Sequence, residues 1–463
     1  KTIFESMGWF SPATAALARG EKSVANYDED SITMAVTASM NCLKKVDREE
    51  IGAAYLASTT FPYVQRHNAA IFASALDLGD NVRAADFGGT LKSGTVALLA
   101  GADAISGGGE KNVLIAAADC RACKLGSSEE HLFGDGAAAL ILSKEDVVAE
   151  IKGSFSITKD FPDYIRAEGK PFSRAWEERW ISKEGYGKII PQIVNGLLEK
   201  YSLKIGDFSK VIYPCHFRRG HMAIARVLGI DKAQLQDNLD EATGDTGTAH
   251  PLIMLANALE NAEQGELLLL VSYGSGGDAI FLEVTDRIGV LKRSRGLSYY
   301  LERKRELGSY EKYMSVRKLG PLDLGFRGEA EPATALSMLW RKRKAVLGLV
   351  GSRCKACGVP QFPPQRVCVN PECGKTDQME EHRFSDRRGT IFTYTGDMLA
   401  FSYDPPQIYG LIDMEGGGRL FLDFTDCDLE GLKVGDQVEM NFRRKYVDER
   451  RGIHGYFWKA VPL

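Results

Sequence analysis

Apolar and polar positions follow two periodicities along the first 285 residues. Helical stretches such as residues 28–46 (DEDSITMAVTASMNCLKKV) and 91–105 are separated by short apolar runs at 51–58 (IGAAYLAS) and 112–119 (NVLIAAAD). Asp28 and Asp30 are both suitable N-caps for the first helix. Strand runs that alternate with helices predict an α/β fold in which helices pack on mostly parallel strands.

An internal repeat extends this prediction. Residues 98–119 (LLAGADAISGGGEKNVLIAAAD) align without a gap with residues 254–275 (MLANALENAEQGELLLLVSYGS). Each copy is an apolar helix, a turn that contains glycine and a hydrophobic strand. We therefore predict a duplicated fold with an N-terminal half over residues 1–150 and a C-terminal half over residues 151–285.

Residues 286–350 have a different character. Their pattern is basic, polar and helical, as in LKRSRGLSYYLERKRELGSYEKYMSVRKLG. Such a run is usually a solvated surface, and we expect a helical linker with a docking segment. Attraction of a phosphorylated ligand to the basic residues is the alternative.

Four of the nine cysteines cluster after residue 351. Two residues separate Cys354 from Cys357, and four separate Cys368 from Cys373. Two such pairs on tight turns can hold one zinc ion tetrahedrally, and a site with four protein ligands is closed. We therefore predict a zinc ribbon with a structural Zn²⁺ over residues 351–383. Five short β runs follow, which is typical of a small OB-fold barrel over residues 384–463.

Composition excludes several classes of function. The chain is 44% hydrophobic and 26% charged, as in ordinary globular proteins. Its formal net charge of -4 gives no electrostatic footprint for nucleic acid or an anionic membrane. We find no apolar run long enough to span a membrane, and the opening KTIFESMGWF is not a signal peptide. We expect a cytoplasmic protein whose partners include neither nucleic acid nor a membrane.

Six motifs carry a resemblance to a known family. They are EKSVANYDEDSITMAVTASMNCL, AYLASTTFPYVQRHNAAIFASAL, AADFGGTLKSGTVALL, FGDGAAALIL, GDTGTAHPLIMLANAL and LLLLVSYGSGGDAIFLEV. In this order they resemble HMG-CoA synthases and the ketosynthase III branch of the thiolase superfamily. The resemblance implies a duplicated, thiolase-like five-layered α/β/α/β/α sandwich over residues 1–285. Residues 351–463 resemble the zinc-ribbon plus OB-fold proteins that accompany thiolases, here fused to the same chain.

The resemblance also indicates where catalytic groups should lie, and these positions have changed. HMG-CoA synthases use a cysteine, a glutamate and a histidine, whose places here hold Leu91, Thr59 and Pro214. The asparagine that polarises the thioester in ketosynthases is replaced by Asp245. Leucine cannot be acylated, and threonine offers no carboxylate as a base. We therefore expect no chemistry through the usual acyl-cysteine.

Other polar residues remain near the expected site. His216 is a candidate acid/base group, and Asp245 with His250 is a second candidate pair. Cys215 is a candidate thiolate nucleophile. The structural alternatives are a buried cysteine, a hydrogen-bonded histidine and a helix cap.

The resemblance implies coenzyme A as the carrier of the substrate. Two arginines after His216 are candidates for its phosphates, unless they belong to a solvated loop. Backbone N–H groups at the start of helix 91–105 and in the turn SYGSGG can stabilise an enolate or thioester oxygen. The candidate substrate-binding and CoA-binding residues are Thr59, Leu91, Arg218, Arg219, Gly274, Ser275 and Gly276.

Three functions stay open at this point. The first is processing of an acyl-CoA at a carbon–carbon bond next to the thioester, of retro-aldol or condensation type, together with a thiolase partner. The second is a non-catalytic scaffold subunit of a thiolase complex that binds or channels CoA. The third is an acyltransferase with its nucleophile relocated to Cys215. Because thiolase folds usually dimerise, we expect a homodimer or a hetero-oligomer with a thiolase-fold subunit.

Overall fold

The computed structural model describes residues 1–44, 46–325 and 333–463, which divide into two units. Unit 1 consists of Lys1–Ala25, Glu50–Ala69 and Asn81–Tyr310. Unit 2 consists of Asn26–Glu49, Ala70–Asp80 and Glu311–Leu463. Unit 2 therefore combines two early segments with the cysteine cluster and the strands that follow it. The domain boundaries at residues 150, 285, 350 and 383 stay predictions.

The helices and strands of the described residues are short and numerous. The α-helices are α1 (Thr2–Met7), α2 (Ser31–Leu43), α3 (Asn68–Ala75), α4 (Ser93–Ser106), α5 (Ser128–Leu132), α6 (Glu178–Trp180), α7 (Gly187–Tyr201), α8 (Arg218–Leu228), α9 (His250–Glu260), α10 (Leu297–Glu302), α11 (Tyr310–Val316), α12 (Leu336–Arg341) and α13 (Arg343–Gly348). The strands are β1 (Ile51–Ala57), β2 (Arg83–Phe87), β3 (Asn112–Asp119), β4 (Gly136–Ser143), β5 (Ala149–Thr158), β6 (Tyr164–Ile165), β7 (Arg174–Ala175), β8 (Lys210–Ile212), β9 (Leu267–Val271), β10 (Gly276–Val284), β11 (Val350–Cys354), β12 (Pro360–Gln361), β13 (Met379–Arg383), β14 (Gly389–Asp397), β15 (Gln407–Met414), β16 (Arg419–Asp423), β17 (Gln437–Asp448) and β18 (Ile453–Pro462). Within the described part of the chain, no helix is both long and apolar enough to cross a membrane.

Unit 1 contains two four-stranded sheets with related topology. The first has the order β2-β1-β3-β4, and the second has the order β5-β10-β9-β8. In each, a parallel pair (β1 with β3, β8 with β9) is followed by an antiparallel strand. The sheets are mixed rather than mostly parallel, because a tight turn leads from β9 directly into β10 and such turns join antiparallel strands. Helix α4 precedes β3 as α9 precedes β9, which is the repeat predicted from residues 98–119 and 254–275.

The central core of unit 1 explains the apolar character of both repeat helices. Leu98 of α4 and Leu252 of α9 share a buried cluster with Ile115 of β3 and Leu270 of β9. Leu269, the neighbour of Leu270 on β9, belongs to a second cluster that contains the apolar faces of α7 and α8. Successive side chains of a strand point to opposite faces, so one face of the second sheet packs on α4 and α9 and the other on α7 and α8.

Unit 2 contains a small barrel and a separate three-stranded sheet. The barrel has the strand order β16-β15-β14-β17-β18, with antiparallel neighbours throughout. An isolated parallel bridge between Phe424 and Ala460 brings the end of β16 to β18 and closes the sheet. The five strands match the five β runs of the sequence. The small sheet has the order β12-β11-β13 and carries the first pair of clustered cysteines.

Helix α2 of unit 2 begins where its sequence offers a cap. Asp30 Oδ1 accepts the N–H groups of Ile32 and Thr33 at 3.0 Å, and Thr33 Oγ1 accepts the N–H of Asp30 at 2.8 Å. This reciprocal arrangement is a capping box, which satisfies N–H groups that the first turn leaves free. Of the two candidate caps, Asp30 therefore fills the role and Asp28 does not.

Strands β17 and β18 of the barrel hold the residues that start α2. The Lys459 ammonium lies 2.9 Å from Asp28 Oδ2, and Arg443 Nη1 lies 3.7 Å from Asp28 Oδ1. The Tyr456 hydroxyl donates to Asp30 Oδ2 at 2.8 Å. Burial alone would raise the pKa of Asp28, but the two cations outweigh it and lower that pKa. The start of α2 is thus folded against the barrel by buried charge pairs.

Candidate functional site

The site lies in unit 1, where the segment before α4 meets the turn between β9 and β10. Thr90 Oγ1 donates to the carbonyl of Gly274 at 2.7 Å. Gly274 has a φ of +157°, and a Cβ at this position would lie 2.9 Å from the Leu91 nitrogen. Only glycine allows this approach of two backbones. Lys92 adds a buried ion pair, with Nζ 3.2 Å from Asp278 Oδ1 on β10.

A pocket lies beside this contact. It brings together all four candidate catalytic residues and three of the four positions that the resemblance predicts to have changed, Leu91, Pro214 and Asp245. Its lining residues are Leu91, Tyr186, Pro214, Cys215, His216, Asn238, Asp240, Asp245, Gly247, His250, Pro251 and Tyr273. Leu91, which the resemblance predicts in place of the nucleophile, is therefore part of the pocket wall.

His216 is held between two polar partners. Its Nδ1 lies 3.4 Å from Asp245 Oδ2, and its Nε2 lies 2.8 Å from the Tyr164 hydroxyl. Burial, followed by the charge of Asp245, raises the pKa of Tyr164 well above its ordinary value, so the phenol stays protonated. A protonated phenol can donate to Nε2, and in that tautomer the Nδ1 proton faces Asp245. The contacts of His216 are thus compatible with a base at Nε2.

Asp245 is a buried carboxylate whose charge is balanced within the site. Arg121 Nη2 lies 2.9 Å from Asp245 Oδ1, which also accepts the N–H of Gly247 at 2.9 Å. Burial favours the neutral carboxyl, but Arg121 and His216 outweigh it and hold the pKa of Asp245 well below its usual range. The Arg121 guanidinium in turn lies 3.6 Å from the centre of the Phe133 ring.

His250 uses both ring nitrogens for contacts within the chain. Its Nε2 lies 2.9 Å from the carbonyl oxygen of Asn238, and its Nδ1 accepts the N–H of Thr246 at 3.2 Å. Burial lowers the pKa of His250, so the ring is neutral near pH 7. These contacts give His250 a structural role at the start of α9, and His216 is the histidine with a carboxylate partner.

Cys215 is enclosed by the loop that carries it. Asn238 accepts the N–H of Cys215 at 3.0 Å and donates to its carbonyl at 2.8 Å. The thiol donates to the Phe217 carbonyl at 3.5 Å. The side chain is 1% exposed, and burial raises the pKa of the thiol to about 12. A thiol with this pKa is almost entirely protonated at neutral pH, which opposes a role as nucleophile.

Thr59 stands outside the pocket lining and is bound to Asp119, a fully buried residue at the end of β3. Its hydroxyl donates to Asp119 Oδ2 at 2.9 Å, and its N–H donates to Oδ1 at 2.7 Å. The same carboxylate accepts the N–H of Thr248 at 2.8 Å. Asp119 therefore ties the Thr59 loop to the segment before α9.

The remaining candidate residues have simpler surroundings. Arg218 and Arg219 are exposed at the start of α8, and Arg218 Nη1 lies 2.6 Å from Glu241 Oε1. Ser275 has a φ of +48°, and Gly276, with a φ of +108°, begins β10. The turn at 274–276 therefore depends on left-handed backbone conformations.

Sequence reasoning missed the aromatic and cationic parts of the site. Tyr164 comes from the two-stranded hairpin β6–β7, and Arg121 comes from the segment after β3. The Tyr186 and Tyr273 rings stack at 3.9 Å and form one wall of the pocket. For Arg121 a signal was present, since a basic residue lies two positions after a buried strand end. Tyr273 lies within the SYGSGG turn, whereas Tyr164 and Tyr186 lie in segments without a motif.

The four clustered cysteines of unit 2 fit a metal site. Their sulfur atoms all lie within 4.8 Å of one another, with Cys354 Sγ 3.8 Å from Cys373 Sγ and Cys357 Sγ 3.5 Å from Cys368 Sγ. Tetrahedral zinc with Zn–S bonds of about 2.3 Å requires sulfur–sulfur distances of about 3.8 Å. The four thiols thus match a closed tetrahedral zinc site.

The fold of unit 1, with its pocket at the start of α4, belongs to the thiolase-like class of α/β folds. A crystal structure of HMG-CoA synthase complexed with CoA aligns with a TM-score of 0.63 and 18% identity, covering 72% of this chain and 90% of that one. A 3-oxoacyl-[acyl-carrier-protein] synthase III from Aquifex aeolicus aligns with a TM-score of 0.53 and 22% identity. The alignment covers 59% of this chain and 91% of that one. These likenesses confirm the predicted fold class.

Sequence relatives define the family within that class. The chain is 35% identical to the hydroxymethylglutaryl-CoA synthase of Methanocaldococcus jannaschii over 304 residues, which are 64% of this chain and 88% of the relative. It is 33% identical to the hydroxymethylglutaryl-CoA synthase of Methanopyrus kandleri, and the match covers 64% of this chain and 86% of the relative. The chain therefore belongs to the hydroxymethylglutaryl-CoA synthase family.

Two family models match the later part of the chain. The rubredoxin-like zinc ribbon domain of ChsH2 matches residues 341–380, and the C-terminal OB-fold domain of ChsH2 matches residues 382–443. The predicted fusion of a zinc ribbon and an OB-fold to a thiolase-like fold is thus confirmed.

Proposed function

We propose that this protein binds a CoA thioester and makes or breaks a carbon–carbon bond next to it without an acyl-cysteine. One observation carries the proposal: His216 is held between Asp245 and Tyr164 in a pocket whose wall contains Leu91. A buried Arg–Asp–His arrangement is costly for folding and is typical of acid/base sites. The names of the relatives, and the CoA bound to one solved neighbour, support a CoA thioester as the substrate.

In the retro-aldol direction His216 is the base. Its Nε2 takes the proton of the β-hydroxyl group, the carbon–oxygen bond becomes a carbonyl, and the bond between Cα and Cβ breaks. The electron pair of that bond moves into the thioester enolate. The imidazolium then returns the proton to Cα, which gives a shorter acyl-CoA and a free carbonyl compound. Condensation is the same sequence in reverse.

Asp245 and Tyr164 set the state of His216 during these steps. Asp245, ionised because of Arg121, stabilises the imidazolium at Nδ1. Before substrate binds, the Tyr164 phenol donates to Nε2. When substrate binds, its β-hydroxyl either takes the place of the phenol at Nε2 or passes its proton to Nε2 through the phenol. Backbone N–H groups before α4 and in the 274–276 turn are the candidate donors to the enolate oxygen. The exposed Arg218 and Arg219 are the candidate residues for CoA phosphates.

The test is to incubate the full chain with a panel of 3-hydroxyacyl-CoA thioesters, including 3-hydroxy-3-methylglutaryl-CoA, and to quantify carbonyl and acyl-CoA products by mass spectrometry. We expect product from the wild type and a loss of about 100-fold or more in His216→Gln. His67→Gln changes a half-exposed histidine of the same unit and is the matched control. Wild-type rates in His216→Gln would remove this histidine from the mechanism.

A non-catalytic subunit of a thiolase complex is the second candidate function. Leu91 in the pocket wall and the match of residues 341–443 to ChsH2 domains favour it. We propose that the chain forms a homodimer or a hetero-oligomer with a thiolase-fold subunit. If product forms only after a separate thiolase chain is added, and His216→Gln is then without effect, the subunit function is correct. An acyltransferase with Cys215 as nucleophile has less support, given the burial of this thiol.

A further inference from the structure

Tyr186 of the pocket wall comes from an unusual turn between α6 and α7. Residues Ile181–Tyr186 form a single π-helical segment that joins the two α-helices. Such segments are rare, and they occur frequently at functional sites. A Cβ at Gly185 would lie 2.4 Å from the Tyr273 hydroxyl, so the glycine in this segment lets Tyr273 pack against it. The π-helical segment thus delivers Tyr186 to the pocket beside Tyr273.

The Tyr186 ring is held by rings on three sides. It stacks on Tyr273 with centroids 3.9 Å apart. It meets the His216 ring edge-on at 5.5 Å and 83°, and the Phe217 ring edge-on at 5.7 Å and 80°. Tyr186 is only 2% exposed. A side chain packed this closely keeps one position, so its hydroxyl is fixed beside His216 before substrate binds.

The Tyr186 hydroxyl is a hydrogen-bond donor without a partner in the described part of the chain. Its oxygen is not fully enclosed, whereas the oxygen of Tyr273 is. Burial, followed by the charge of Asp245, raises the pKa of Tyr186 well above its ordinary value, so the phenol stays protonated. A donor in a pocket wall that lacks a protein partner favours a ligand with an oxygen at that place.

We propose that the Tyr186 hydroxyl donates a hydrogen bond to the oxygen on the β-carbon of a bound acyl-CoA. The inference rests on the proposed function and adds a catalytic residue to it. Of the two phenols beside His216, Tyr164 is already hydrogen-bonded to Nε2. Tyr186 is therefore the phenol whose proton is available to substrate.

The β-oxygen is the substrate atom that must lie at His216 if Nε2 takes its proton. In the retro-aldol direction negative charge builds on this oxygen until the bond between Cα and Cβ breaks, and a hydrogen bond from Tyr186 stabilises that charge. The phenol keeps its own proton, so the proton transfers through His216 stay as described. The thioester oxygen is the alternative acceptor, for which the backbone N–H groups before α4 and in the 274–276 turn are the candidate donors.

Equilibrium binding of two acyl-CoA probes to the full chain distinguishes these acceptors. The probes are 3-oxopentanoyl-CoA and pentanoyl-CoA, which share the thioester and the chain length and differ in the β-oxygen. We expect the wild type to bind the 3-oxo probe about fivefold more tightly. Tyr186→Phe keeps the ring and its stacking, and it should abolish this preference while binding of pentanoyl-CoA stays unchanged. Tyr201→Phe removes a hydroxyl that bonds Ser154 at the other end of α7, and this control should keep the preference.

Three results would overturn the inference. One is an equal loss of both probes in Tyr186→Phe, which would assign the phenol to the thioester oxygen or to packing alone. The second is an unchanged preference in Tyr186→Phe. The third is a wild type that binds the 3-oxo probe no more tightly than pentanoyl-CoA, or binds neither. Because the readout is binding, a chain that cleaves no 3-hydroxyacyl-CoA but shows the preference that depends on Tyr186 would contradict the proposed function and support this inference.

Discussion

Arg121 and Asp245 form a buried ion pair at the pocket, with Nη2 2.9 Å from Oδ1 and both side chains less than a tenth exposed. The other carboxylate oxygen faces His216. Arg121 balances the charge of the aspartate, and it also holds in place the carboxylate that lies 3.4 Å from His216 Nδ1. The group beside His216 is therefore a charged carboxylate together with its counterion.

Removal of Arg121 alone should be severely destabilising. Arg121→Met leaves Asp245 as an uncompensated buried charge, and we expect a loss of about 3–5 kcal/mol in the free energy of unfolding. Urea unfolding of the purified variant measures this loss. The double variant Arg121→Met/Asp245→Leu removes both charges and should recover most of it. A loss below about 1 kcal/mol in the single variant would contradict the pairing.

Loss of the Tyr164 hydroxyl should affect turnover rather than binding. Tyr164→Phe removes the hydrogen bond to His216 Nε2, and we expect kcat to fall up to about tenfold while KM for a cleaved 3-hydroxyacyl-CoA stays unchanged. Steady-state kinetics give both values. The variant Tyr63→Phe alters an exposed contact with Arg66 in the same unit and serves as the control. An effect on KM alone would show that the phenol only helps to bind substrate.

A cysteine introduced at position 91 should be more reactive than the native Cys215. A thiol at the start of α4 has backbone N–H groups and the helix dipole nearby, which lower its pKa, whereas the pKa of Cys215 is raised to about 12. We expect Leu91→Cys to be alkylated by iodoacetamide at pH 7 while Cys215 in the same protein stays unmodified. Peptide mapping by mass spectrometry reads both sites. Equal labelling of Cys215 would show that its burial is not maintained in solution.

His221 should make stability depend on pH. It is 6% exposed, and burial lowers its pKa to about 4, against about 6.5 in an unfolded chain. Between these values the unfolded state binds a proton that the folded state does not, so stability falls as pH drops from about 6.5 to about 4. The total loss is about 3 kcal/mol, and most of it occurs below pH 6.5.

His221→Phe keeps a ring against Tyr213 and should flatten this part of the pH dependence. Thermal unfolding of the wild type and of His221→Phe at pH 7, 6, 5 and 4 measures this pH dependence. His67→Gln is the control. An unchanged slope in His221→Phe would assign the pH dependence to other groups.

Metal removal should unfold the region around β11. We expect one zinc ion per chain by elemental analysis, and its loss in Cys373→Ser but not in Cys427→Ser, which lies in the same unit outside the cluster. Apparent binding free energies of structural zinc are about 10–16 kcal/mol, so chelation should remove cooperative unfolding of unit 2. Calorimetry before and after a strong chelator detects the change. Full zinc content in Cys373→Ser would contradict the four-cysteine site.

Periodic features of this chain are predictable from sequence, and contacts between distant segments are not. The repeat, β1, β3 and the barrel strands follow from apolar patterns, and the cysteine spacing indicates the metal site. The carboxylate next to His216 was a candidate, but its counterion Arg121 was not. Tyr164 could not be predicted as the second partner, because it lies 52 residues before His216 in a short hairpin that no sequence motif marks. The position of α2 in unit 2 likewise depends on charge pairs that no local pattern encodes.

The attachment of α2 to the barrel has a consequence for synthesis of the protein. Asp30, which starts α2, bonds to Tyr456, 426 residues later in the chain. On the ribosome the helix is therefore complete long before the strands that anchor its first turn exist. We expect nascent chains that stop before β17 to be sensitive to protease at α2, and the order of translation thus makes unit 2 the later of the two units to mature.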